Sequence, residues 1–291
     1  MKFTNESNLP DYIAAVLQNA YLQDAYDGPR GGKTISVTQL IGPAQKLILE
    51  RQHEKDLEMD VIDTIPALLG QALHHILERA GPAAPTHVPE RRLSAVHDGW
   101  IISGKADLYE TQSGTLVDYK NSSVWTYVFG KPEWVQQLNV YRWLLERNGH
   151  RPKALAVVLF CGDWRRGEAK KNPDYPARVV NIQIPMWEMD EATAFIDQRL
   201  KLHREAQDGQ PVSCSPDERW AKPTKYAIMK PGRKTAISLH DAKPECPPGC
   251  YIETRQGESV RCKDYCNAAP FCRQWAVDPT NPKNAEVTTS A

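Results

Sequence analysis

The chain has 291 residues, of which 41% are hydrophobic and 25% charged; this is the balance of an ordinary globular protein, long enough for one core domain and an appendage. Lysine plus arginine and aspartate plus glutamate stand at 36 each, which argues against global charge as a way of holding a polyanion and leaves that task to local patches. No apolar run approaches a membrane span, and the opening MKFTNESNLPDYI lacks the basic-then-apolar layout of a signal peptide, so the expected location is cytoplasmic.

Taken in chain order, an amphipathic stretch from Tyr12 to Tyr26 and a break at Gly31-Gly32 suggest an N-terminal arm over residues 1–35. Ser36 to about Gln52 is expected to be a helix capped at Ser36 or Thr38. A second helix, about Asp63 to Ala80, carries Ile65, Leu68, Leu69, Ala72, Leu73, Ile76 and Leu77 as a broad apolar face. Strand-like runs follow near 87–95, 98–110 and 115–120, the last two joined by the turn Gln112-Ser113-Gly114. Pro132–Glu146 is expected to be a helix with proline at its first turn. Ala154–Cys161 has the continuous apolar character of a buried strand; Val179–Ile184 is a further strand and Met189–Ala206 a long helix. The expected fold is α/β (α+β), a central mixed sheet flanked by helices over 36–210. A basic, cysteine-rich subdomain is expected at 211–275 and a polar, disordered tail at 276–291.

The chemistry lies in SGKADLYETQSGTLVDYK, residues 103–120. Residues two apart on a strand share a face, so Asp118 and Lys120 project side by side, and the hairpin can bring Asp107 near them. Two carboxylates and an ammonium make a poor core. They make a good site for a hard divalent cation such as Mg²⁺ or Mn²⁺, which polarises phosphate and acidifies a bound water; the lysine steadies developing negative charge. An edge hairpin with ordinary surface charges is the competing account. In the preceding helix, Gly70, His74 and Glu78 recur every four residues on one face. There the glycine is expected to permit close backbone approach, and His74 to offer an imidazole nitrogen to a metal. In the following helix, Gln137 and Tyr141 again stand four apart. His74 as a half-buried structural histidine and Tyr141 as core are the plainer alternatives.

The series Gly70-x₃-His74-x₃-Glu78, Gly104-x₂-Asp107, Asp118-Tyr119-Lys120 and Gln137-x₃-Tyr141 resembles the RecB-like branch of the PD-(D/E)XK nucleases, over about residues 36–210. The resemblance implies a restriction-endonuclease-like core. It implies His74, Asp107 and Asp118 as metal ligands with the Tyr119 carbonyl as a fourth, Lys120 as catalytic lysine, and Gln137 and Tyr141 around DNA and the active site. The chain also resembles phage and prophage exonucleases that resect duplex ends for recombination. This implies DNA as partner, as duplex ends or single strands, in a bacterial or phage-infected cell. A single-strand annealing protein and a homo-oligomer are the further partners so suggested.

Six of the seven cysteines lie in the last 80 residues. Clustered cysteines in a reducing compartment suggest metal ligation. Cys262-x₃-Cys266-x₅-Cys272 resembles the C-terminal triplet that holds a [4Fe–4S] cluster in several RecB-like nucleases, including CRISPR-associated ones. Tetrahedral zinc suits the same thiolates. The family's distant cysteine precedes the core, whereas none occurs here before Cys161; Cys214 is the expected fourth ligand, with Cys246 and Cys250 as competitors. Cys161 is expected to be a core thiol. Between Cys214 and Cys246, Lys222, Lys225, Lys230, Arg233 and Lys234 interleave with Trp220 and Tyr226, the pattern of a single-strand DNA contact or of a solvated hairpin. Arg165, Arg166, Lys170 and Lys171 form a second basic loop. The rival functional readings are a DNA-binding or adaptor protein that has lost the chemistry, and a nuclease subunit of a helicase or spacer-acquisition complex. No helicase phosphate loop occurs in this chain.

Overall fold

The computed structural model describes residues 1–23, 28–29, 31–80 and 87–285. In chain order the elements are β1 (Lys2–Thr4), α1 (Asp11–Leu22), β2 (Thr34–Ser36), α2 (Val37–Ile41), α3 (Ala44–Gln52), β3 (Glu58–Asp60) and α4 (Ile65–Ala80). Then come β4 (His87–His97), β5 (Trp100–Glu110), β6 (Thr115–Ser122), α5 (Val124–Phe129), α6 (Pro132–Arg147), β7 (Ala154–Cys161), α7 (Arg166–Lys171), β8 (Val179–Ile184) and α8 (Met189–Gln207). The C-terminal segment adds β9 (Ala221–Lys222), β10 (Lys225–Met229), β11 (Ser238–His240), β12 (Tyr251–Arg255), β13 (Glu258–Ser259), α9 (Val260–Asp264), α10 (Arg273–Ala276) and α11 (Pro282–Ala285). Contacts divide the chain into two compact units. One is Phe3–Ile41 with Met59–Arg204; the other is Met1–Lys2, Gly42–Glu58 and Glu205–Ala291.

The first unit is built on a six-stranded mixed sheet, β2-β5-β6-β7-β8, with β4 paired to β5. The hairpin of β4 and β5 turns at Asp98-Gly99, both with positive φ (45° and 73°), the two-residue turn whose twist matches paired strands. The strand expected from residue 98 therefore begins only after this turn, which the Asp-Gly pair marks. The next hairpin does turn through Gln112-Ser113-Gly114. Glu110 accepts hydrogen bonds from the N–H groups of Gln112 (2.8 Å) and Ser113 (2.6 Å), and Gly114 takes the positive φ of 72°. Leu116, Leu155, Leu159 and Ile102 from the strands, Leu138, Trp143 and Leu144 from α6, and Ile196 and Leu200 from α8 are fully buried. Each such side chain contributes about 1.5–3 kcal/mol.

The expected helix from Ser36 to Gln52 is two helices. Ser36 caps the first reciprocally with Gln39, each backbone N–H bonding the other side chain at 3.1 Å. Gly42-Pro43 then ends it, because proline offers no N–H to a preceding carbonyl. The freed carbonyl of Leu40 accepts instead from the buried Arg199 Nε (3.0 Å) and His203 Nε2 (3.1 Å) of α8. The segment beyond the break, Gly42–Glu58, groups with the C-terminal unit rather than with the sheet.

The apolar face expected of α4 is not buried: no residue of that helix is, and Leu69 and Ile76 are 55% and 64% exposed. In the C-terminal unit, a three-stranded antiparallel sheet, β11-β10-β12, stands where aperiodic sequence suggested loop. The tail is ordered further than its polarity suggests. Asp278 and Asn281 are buried; Asp278 takes a 2.6 Å hydrogen bond from Arg219, and Asn281 Nδ2 bonds the Trp275 carbonyl at 3.0 Å. Of the expected arm and tail, residues 24–27, 30 and 286–291 lie outside the described residues.

Candidate active site

Strand β5 positions the site through its unequal edges. One edge pairs with β4 from Trp100 to Glu110. The other is shared: β2 runs parallel to it at Ile101–Ser103, and β6 antiparallel at Leu108–Glu110. Among the described residues, Gly104–Asp107 has no ladder partner on that second edge. The alternation of buried positions, Trp100, Ile102, Gly104 and Ala106, also slips there and resumes at Tyr109. In the gap the backbone N–H of Tyr119 donates to Asp107 Oδ2 at 2.6 Å instead of to a strand. A strand residue's N–H and C=O point to the same side, so the Tyr119 carbonyl faces the gap as well.

Four side chains converge on this opening. His74 Nδ1 of α4 stands 3.2 Å from Asp107 Oδ1, and its ring lies edge-on to Tyr119. The hydrogen bond to Asp107 raises the His74 pKa; burial opposes it, and the charges of Asp107 and Asp118 reinforce it. Asp118 is 3% exposed. Burial pushes its carboxyl up to about 6, against the pull of Lys120 and with the help of Asp107. Lys120 Nζ is 2.7 Å from Asp118 Oδ2, the charged partner of this buried carboxyl. A carboxylate with one charged partner keeps further acceptor lone pairs, which an incoming cation would take up. The donors suit a hard cation: carboxylates, a carbonyl and one imidazole. Their distances do not close a shell, since among the described residues no three His, Cys, Asp or Glu side chains stand together at metal-binding distance.

Behind the gap, α6 lays Tyr141 on the backbone of β5. A Cβ on Gly104 would meet Tyr141 Cε1 at 2.4 Å and Val37 Cγ2 at 2.7 Å. The glycine is therefore a steric requirement of ring and strand in contact. Tyr141 is buried, and burial, then the charge of Asp118, raises its phenol pKa; Gln137 Nε2 donates to its hydroxyl at 3.3 Å. Arg92 of β4, which the sequence reading passed over, also acts on this phenol. Its only sequence signal was a cation on the strand paired with the site strand. Gly70 has the opposite fate to Gly104: a Cβ there would meet nothing within 4 Å. The close approach expected at Gly70 does not occur, because α4 turns that position away from neighbours.

In the C-terminal unit, Cys214 lies near enough to Cys262, Cys266 and Cys272 for their charges to act on it, but among the described residues no three thiols stand at metal-binding distance. Burial pushes its thiol up to about 12, with contributions from Glu218, Cys272, Cys262 and Cys266. Burial and the neighbouring Cys266 and Cys272 push Cys262 up to about 11. The side-chain amide of Gln274 brackets the Cys214 backbone, accepting from its N–H at 2.8 Å and donating to its carbonyl at 2.9 Å. This ties the cysteine to α10, beside Cys272. These four part-buried thiols have the donor chemistry of a metal that binds thiolates, without standing in a closed ligand shell. Cys246 lies on the connection into β12, its thiol directed to the carbonyl of Cys250 at 3.1 Å. Cys161 is buried in β7, as expected of a core thiol.

The basic segment is a β-hairpin. Lys230, Arg233 and Lys234 are exposed at the turn between β10 and β11, where the Arg233 N–H bonds the Lys230 carbonyl at 3.0 Å and Gly232 has φ 79°. Lys225 pairs with Asp241 and Lys222 with Glu258. Trp220 is less open to bases than its place in the sequence suggests: Arg261 lies over its ring at 4.1 Å and Tyr265 meets its edge.

No protein-family model and no curated protein matches the sequence. Solved structures that resemble the chain include that of a protein named SSO0001 (17% identity, TM-score 0.48, over 65% of this chain and 86% of that one). They also include a phage-related exonuclease from Haemophilus somnus 129PT (14% identity, TM-score 0.30, over 69% of this chain and 83% of that one). Likenesses this distant assign no function. Among the described residues no helix is long and apolar enough to cross a membrane.

Proposed function

We propose that this chain is a divalent-metal-dependent deoxyribonuclease that hydrolyses phosphodiesters, an exonuclease acting on DNA ends in recombination or repair. The observation that carries the reading is the convergence of His74, Asp107, Asp118 and Lys120 on the unpaired edge of β5. His74, Asp107, Asp118 and the Tyr119 carbonyl would hold Mg²⁺ or Mn²⁺. When bound, the cation polarises a phosphate and acidifies water. Lys120, held by Asp118, keeps an ammonium beside the place where negative charge develops, a preorganised donor in a part-buried site. The buried Tyr141 fixes the floor under Asp118, and the half-buried Gln137 that donates to its hydroxyl would meet the DNA backbone. Cys214, Cys262, Cys266 and Cys272 would hold a [4Fe–4S] cluster, with Zn²⁺ as the alternative, adding to the small core around Ile228, Met229 and Trp275 in this proline-rich segment. Lys225, Lys230, Arg233 and Lys234 supply further phosphate contacts.

The test is incubation with end-labelled linear and circular DNA in Mg²⁺, Mn²⁺ or EDTA. Cleavage is expected with metal alone and is lost in Asp118→Ala and Lys120→Ala at unchanged circular dichroism. Full activity in EDTA, or near-normal turnover in either variant, overturns the mechanism. Binding without cleavage under every condition favours the adaptor reading.

A further inference from the structure

Helix α5 begins four residues after Lys120 and displays its apolar side chains outward. Only Val124 is buried. Trp125 is 63% exposed, Phe129 80%, Val128 53% and Tyr127 44%. Trp125 and Phe129, four apart on one helix face, lie nearly parallel, 23° between planes and 6.1 Å between ring centres. Six residues cannot sustain a helix alone, and this one is pinned from outside. Ser123 caps it through the Trp125 N–H at 3.2 Å. Asp163 accepts from both the Ser123 hydroxyl and the Val124 N–H at 2.7 Å. A serine cap and the exposed Asp163 thus hold an aromatic surface in water.

We infer that this surface is a stacking platform for unpaired nucleobases of the strand held at the proposed site; the inference rests on that site being a nuclease. Three observations select this occupant. The first is continuity: at most roughly 17 Å of extended chain separates Lys120 from Trp125, the reach of a few nucleotides. The second is charge. Exposed Lys131 follows Phe129, and exposed Arg165 and Arg166 follow the anchoring Asp163, so cations for phosphates flank both ends of the aromatic stripe, while Asp163 is engaged by the helix cap. The third is area. The exposed rings offer on the order of 400 Å², about half of what each partner buries in a stable protein interface, but enough for one or two bases. Bases stack on aromatic faces without sequence preference, which is what a nuclease that tracks a strand requires.

The experiment measures binding in EDTA, where cleavage is off, by fluorescence anisotropy. One probe is a labelled oligothymidylate; the other is the same backbone with abasic residues in place of the bases. The protein is expected to prefer the base-bearing strand by on the order of tenfold or more. Trp125→Leu/Phe129→Leu is expected to lose that preference while keeping its affinity for the abasic strand. Trp125→Phe, which keeps a ring, is expected to retain the preference. Equal binding of both strands by the wild type, or an undiminished preference in the leucine variant, overturns the platform. So does sedimentation showing that the leucine pair abolishes a dimer with the preference intact, which assigns the surface to a second copy. The two readings fail separately. Cleavage with no base preference removes the platform alone, whereas base preference with no cleavage in Mg²⁺ or Mn²⁺ removes the nuclease and leaves the platform standing.

Discussion

Replacing Gly104 with alanine tests the geometry of the site without touching an ionisable group. The new methyl would lie 2.4 and 2.9 Å from Tyr141 Cε1 and Cδ1, and 2.7 Å from Val37 Cγ2. Ordinary contact needs 3.4 Å or more, so ring or strand must move by about 1 Å, and Tyr141, 6% exposed in a packed helix, has little room. Overpacking of this kind costs about 1–3 kcal/mol. A 1 Å displacement near reacting groups costs on the order of 10²-fold in rate. Urea unfolding and cleavage of end-labelled DNA measure the two effects. The double variant Gly104→Ala/Tyr141→Ala is expected to lose less stability than the sum of the singles, since one clash partner is gone, without recovering activity. A Gly104→Ala protein with wild-type unfolding midpoint and turnover would refute the reasoning.

Cys214→Ala is expected to lose metal and to render residues 211–275 protease-sensitive, because Cys214 is the proposed fourth ligand; elemental analysis of anaerobic protein checks it. About four irons per chain are expected; stoichiometric zinc instead makes the site a zinc centre, and full metal in the variant moves the fourth ligand elsewhere. Truncation after Val277 is expected to lower the thermal midpoint of the C-terminal unit, since it removes the buried Asp278 and Asn281; an unchanged midpoint would return the tail to the status of a polar appendage. Asp278 also predicts a pH dependence. Burial raises its pKa, but bonds from Thr280 and Ser259 and the charge of Arg219 outweigh burial and hold it below the usual range. The stability this contributes is present above the unfolded carboxylate pKa, about 3.9, and is lost as pH falls through the folded value. Asp278→Asn should therefore flatten the acid limb of the stability curve, and an identical acid limb in the variant would exclude the role.

Strands β4–β8 and the long helices α4, α6 and α8 were legible in the sequence because each has a local signature. Alternation marks β6, a first-turn proline marks α6, and Asp118 and Lys120 share a face because a strand has period two. Spacing of four likewise gave Gln137 and Tyr141, which do meet at 3.3 Å. Local signals also misled where burial depends on neighbours. The apolar stripe of α4 is periodic yet nowhere fully buried, and Gly70 and Gly104 look alike in sequence although only Gly104 is pressed by a ring. The helix break at Gly42-Pro43 was locally marked and missed; the buried Arg199 and His203 that satisfy Leu40 come from 159 and 163 residues away, beyond any window. Only the tertiary structure decided that β2 and β6 share one edge of β5 and leave the gap where Asp107 meets His74 and Tyr119. It alone decided that Gln274 draws Cys214 to α10. Chain-neighbour chemistry is written in spacing, whereas edge-sharing and long-range bonds follow from how the whole chain satisfies its buried polar groups and packs its core.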